Sequence, residues 1–66
     1  MSELFWLYRL NDDHDVLLAK VRRPDVPEIG LSVDIVGRRG VPTRVEHFRV
    51  VAVDENDATA LLEACE

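Results

Sequence analysis

Apolar and polar positions alternate along much of this 66-residue chain with a period of two, the spacing of a strand that buries one face. The clearest case is "LSVDIV" (31–36): Leu31, Val33 and Ile35 fall on one side, Ser32 and Asp34 on the other. The longest β-type run, "TRVEHFRVVAVD" (43–54), changes register along its length. Val45 is apolar at an odd position and Phe48, Val50 and Ala52 at even ones, while Val51 and Val53 make the far end apolar on both sides. The shift predicts a bulge near Glu46–His47, or a change from one covered face to two. The first run, "ELFWLYRL" (3–10), is apolar on both sides, with Leu4, Trp6, Tyr8 and Leu10 on one and Phe5 and Leu7 on the other. Such a strand needs cover on both faces, from a helix, a closing barrel or a second subunit.

Two segments fit less simply. "VLLAKVRR" (16–23) reads as a strand that completes a hairpin with 3–10 around the polar turn "NDDHD" (11–15). It also reads as a helix, with His14, Leu17, Leu18 and Val21 at i, i+3, i+4 and i+7, Arg22 and Arg23 at the C-terminal end, and Pro24 as the stop. The strand reading is preferred. "PDVPEIG" (24–30) is a loop and "GRRGVP" (37–42) a turn. The end of the chain, "DENDATALLEACE" (54–66), predicts a helix. Asp54 serves as N-cap, Glu55 and Asp57 put negative charge in the first turn, and Ala58, Leu61, Leu62 and Cys65 form an apolar stripe. Cys65 is then a small buried hydrophobe on the docking face.

Together these elements predict one mainly β domain over 1–66: a four-stranded antiparallel sheet or small open SH3-like barrel, with a C-terminal helix packed on it. With 13–23 as a helix the order becomes β-α-β-β-α, an α+β arrangement close to a truncated ferredoxin-like sandwich. The stretch "VPEIGLSVDIV…FRVVAVDE", through Pro27, Gly30, Val33, Ile35, Phe48, Val50 and Val53, loosely resembles small bacterial and phage β-barrel domains. That resemblance implies a barrel-like antiparallel sheet and nothing about activity.

Composition bounds the chemistry. Apolar residues are 47% of the chain and charged ones 32%, which is globular rather than disordered. A chain this short buries a modest share of its surface, so it needs a compact core, a staple or a partner. Cys65 is the single cysteine, which excludes an internal disulfide, and one Cys with two separated histidines does not make a zinc site. No run approaches a membrane span, and "MSELFWLYRL" lacks the basic start and small-residue cleavage site of a signal peptide, so a cytoplasmic location is expected. Net charge is −5, unevenly spread: residues 22–49 hold six arginines against four acids, and 50–66 hold five acids and no base.

Catalysis is not expected. Neither His14 nor His47 has a serine beside it, and Cys65 lies at the chain end without a base. Asp12, Asp13, His14 and Asp15 carry metal-ligating groups, yet adjacent residues cannot converge on one ion, and a turn explains them. No cofactor is expected. The one basic cluster is "GRRGVPTR" (37–44), with Arg38, Arg39 and Arg44; Gly37 and Gly40 precede no Lys-Ser/Thr and so form no phosphate loop. These arginines, with Trp6, Tyr8 or Phe48 for stacking, could contact nucleic acid. The preferred expectation is a non-enzymatic interaction or regulatory module, a bacterial or phage-type accessory protein. It binds a protein partner or a second copy of itself as a homodimer, using Trp6 and Tyr8 as anchors.

Overall fold

Two antiparallel hairpins and a fifth strand between them make up the protein. The computed structural model describes residues 4–38 and 40–65. Its strands are β1 (Leu4–Leu10), β2 (Leu17–Arg23), β3 (Ser32–Val36), β4 (Val45–Asp54) and β5 (Thr59–Ala64). They form one sheet in the order β2-β1-β5-β4-β3, curled into a nearly closed barrel. β1 pairs antiparallel with β2, and β3 with β4. β5 joins the two hairpins, parallel to β1 (Leu7 opposite Thr59, Leu10 opposite Leu62) and antiparallel to β4.

A single-layer sheet has no second layer to cover its apolar face, so it must curl over itself. The alternation read from the sequence supplies that inner face. Trp6 and Tyr8 of β1, Ile35 of β3, Phe48 and Val50 of β4, and Ala60 and Leu62 of β5 form the buried core, with Pro27 from the 24–31 loop also fully buried. Register places them side by side: Tyr8 lies opposite Ala60, Val50 opposite Leu62, and Val53 opposite Ala60. The edges of the sheet are less well covered. Ala19 and Val21 of β2, with Leu31 and Val33 beside or in β3, are only partly buried.

Several expectations are corrected. The sheet has five strands rather than four, one of its pairings is parallel, and no C-terminal helix forms among the described residues. The capping signal at Asp54 is nonetheless real. Its Oδ1 accepts from the backbone N–H groups of Asn56 (3.1 Å) and Asp57 (3.3 Å), and the Ala58 N–H reaches the Glu55 carbonyl (3.4 Å). That makes one tight turn. At Ala58 the backbone swings to φ +50°, the left-handed region that a helix cannot continue through. The chain then leaves as β5, where Ala60 and Leu62 bury completely. The helical stripe and the strand alternation share Leu62, and a central place in a sheet outweighs the propensity of a short helix. Cys65 is exposed rather than buried.

The ferredoxin-like alternative falls as well, because Leu17–Arg23 is strand β2. The bulge in β4 lies between Val50 and Ala52, not near Glu46–His47. It lets Val50 and Val53 both face inward, while Val45, ahead of it and out of phase with Phe48, is an exposed apolar residue on the outer side. A second irregularity, between Tyr8 and Arg9, sets Leu18 apart in the β1–β2 ladder.

Leu62 is fully buried at the junction of the hairpins. Leu62→Ala is expected to cost about 3 kcal/mol, much of the stability of so small a domain. A urea unfolding curve read by Trp6 fluorescence checks it; a midpoint equal to the parent's would contradict this packing.

Candidate binding surface

The basic turn is built first by its glycines. Gly37 (φ +71°) and Gly40 (φ +79°) take left-handed conformations that side chains resist. Backbone bonds then close the loop: the Gly37 N–H donates to the Arg44 carbonyl (2.9 Å), and the Arg44 N–H to the Val41 carbonyl (3.0 Å). The two described arginines have different surroundings. Arg38 turns toward β4, where its Nη1 donates to both oxygens of Glu46 (3.4 and 3.2 Å), and its guanidinium lies 6.0 Å from the Phe48 ring centroid. Arg38 and Glu46 side chains are only 20% and 17% exposed. Arg44 is exposed, and Arg39 lies outside the described residues. Around the turn the outer side carries Val36 and Val45, opposite one another and both exposed, with Val41 also exposed at the tip.

The aromatic candidates are inside the barrel. Trp6, Tyr8 and Phe48 are 1%, 3% and 2% exposed, so none presents a ring to a ligand. Tyr8 keeps one polar link outward: its hydroxyl accepts from Arg23 Nη1 (3.2 Å), and Arg23 Nε reaches Asp25 Oδ1 (3.3 Å). The Tyr8 hydroxyl and then the Asp25 carboxylate hold Arg23 above its ordinary range, so it stays charged throughout the accessible pH scale. The Trp6 indole N–H is buried with no acceptor among the described residues.

What the sequence reading missed is Phe5. It projects from the outer face of β1 and is 44% exposed. Its register partner is Arg22, and Lys20 stands opposite Leu7. The Lys20 ammonium lies 4.6 Å and the Arg22 guanidinium 5.0 Å from the Phe5 ring centroid. Leu17, on the same hairpin, is 49% exposed. An aromatic ring and two cations therefore share this face, and Leu17 lies at the far end of the hairpin, opposite Arg9. The signal was present in the first strand, whose second apolar side asked for cover; the barrel covers only the side with Trp6 and Tyr8.

A third region is a shallow cleft of about 370 Å³ lined by Arg9, His14, Asp15, Asp54, Asp57, Thr59 and Leu61. Arg9 Nη1 is held by the His14 carbonyl (3.0 Å), and Thr59 Oγ1 donates to the Asp57 carbonyl (3.2 Å). The acids around it are largely turn-formers: Asp13 Oδ1 accepts from the Asp15 N–H (3.1 Å). On the outer face of the β3–β4 hairpin, His47 Nδ1 and Asp34 Oδ1 are 2.7 Å apart, both well exposed. Among the described residues no group of three or more His, Cys, Asp or Glu is placed to hold a metal ion, and no helix is long and apolar enough to cross a membrane. Comparison of the chain with protein-family models, with curated proteins and with solved structures finds no match.

The two described arginines of the basic turn should behave differently. Arg38→Ala removes a half-buried ion pair and is expected to cost about 1 kcal/mol. Arg44→Ala should stay within about 0.5 kcal/mol of the parent. Paired thermal melts check this, and equal effects would contradict the arrangement.

Proposed function

We propose that this protein is a small non-enzymatic interaction module that binds a protein partner on the outer face of the β1–β2 hairpin. The observation that carries the proposal is Phe5, a large aromatic 44% exposed near the start of β1 and flanked by Lys20 and Arg22. Aromatic residues beside an arginine are the residue types that dominate binding energy at protein interfaces. The proposed setting is a reducing cytoplasm, where Cys65 persists as an exposed thiol. A second copy of the chain competes for the same role, as a homodimer.

A second reading is nucleic-acid binding through the basic turn. Arg44, exposed at its base, favours that reading. Engagement of Arg38 by Glu46 weakens it, as does the net charge of −5.

Two measurements decide between them. Immobilised parent, Phe5→Ser and Val45→Ser proteins are exposed to extract of the cells that encode the chain. Parent and Val45→Ser should retain the same protein partner, and Phe5→Ser should retain about tenfold less at an unchanged melting temperature. Equal retention by Phe5→Ser contradicts the proposal. Separately, fluorescence anisotropy with single-stranded DNA at low salt should show no binding. A salt-sensitive complex lost in Arg44→Ala establishes the second reading instead.

A further inference from the structure

We infer that the partner surface recognised by the β1–β2 hairpin is an extended acidic segment, added as a sixth strand along the outer edge of β2. The inference rests on the docking face just proposed and names what fills it. β2 lies at one end of the strand order and pairs only with β1 among the described residues. Among the described residues no strand pairs with its other edge, which makes that edge a template for strand addition.

The usable length is Ala19–Arg23, which runs in unbroken register after the irregularity at Leu18 and ends before Pro24. Within it the side chains alternate. Lys20 and Arg22 face outward beside Phe5, whereas Ala19 and Val21 face the barrel interior and are only partly buried. Across the opening of the barrel, Leu31 and Val33 are partly buried too, in contrast to the fully covered Ala60, Leu62 and Val50. An added strand with apolar residues at every second position completes the cover of that thin side of the core. The positions between them project outward, next to Lys20 and Arg22, and acidic residues there meet opposite charge directly across the strands. The recognised pattern is acidic and apolar residues in alternation.

The same cations argue against a second copy at this edge. Two β2 strands paired antiparallel about Lys20 bring the Lys20 and Arg22 side chains of both copies onto one side, where like charges repel.

The test uses the full chain and a fluorescein-labelled peptide in which Glu alternates with Val, with a Lys-for-Glu peptide as control. The acidic peptide should bind at least about tenfold more tightly than the basic one. On binding, amide hydrogen exchange should slow selectively in Ala19–Arg23. Lys20→Glu combined with Arg22→Glu should reverse the preference. If that variant does not fold, Lys20→Gln with Arg22→Gln should weaken acidic-peptide binding by a similar factor. Binding without protection of β2 amides, or with changes centred on 37–44, overturns the inference. So does concentration-dependent β2 protection with no peptide, which identifies a second copy. Binding of single-stranded DNA in place of the peptide overturns it as well. If the acidic peptide fails while Phe5→Ser still loses the cellular partner, the strand-addition inference alone is wrong and the docking face stands.

Discussion

Everything in this structure depends on β5 lying between β1 and β4. Each hairpin alone is a two-stranded ribbon, which is marginal in water. Thr59–Ala64 pairs with both, and its Ala60 and Leu62 are completely buried against them. Backbone bonds extend the join at both ends: the Leu7 N–H donates to the Ala58 carbonyl, the Asn11 N–H to the Leu62 carbonyl, and the Cys65 N–H to the His47 carbonyl. A parallel pairing needs a long connection, and here the entire β2–β4 segment supplies it. The sheet closes late in the chain, because its central strand is its last.

The curl imposed by that arrangement explains which faces are finished and which are not. Side chains along β1, β5 and β4 meet over the barrel axis, and their burial is nearly complete. Toward the edge strands the cover thins, and apart from Ile35 the inward apolar residues there stay partly open. The outer surface has no second layer, so Phe5 is left to two cationic side chains. The apolar stem of Lys20 can shelter the ring while its charge stays in water. Desolvating that ring is the gain available to a partner.

Much of this was legible in the chain. The alternation in 31–36 placed Val33 and Ile35 inward, and the two-sided apolar pattern of 3–10 separated Trp6 and Tyr8 from Phe5 and Leu7. The pattern could not say which side the barrel would take, and the larger aromatics won the interior because they fill more of it. The last segment misled for a physical reason. Asp54 caps a helical turn in both readings, and Leu62 suits a helix stripe and a strand face alike. The deciding feature, the left-handed Ala58, is invisible in a residue type that favours helices. The basic turn misled in a different way. Arg38 and Arg44 flank one turn yet have different surroundings: Glu46 holds Arg38, and Arg44 is exposed.

Native-state hydrogen exchange tests the central role of β5 most directly. If β5 ties the hairpins into one unit, the slowest amides of β1, β4 and β5 exchange with a single free energy equal to that of global unfolding. Helix-type carbon shifts over 59–64, or a β3–β4 hairpin that opens while β1–β2 stays protected, would contradict that account.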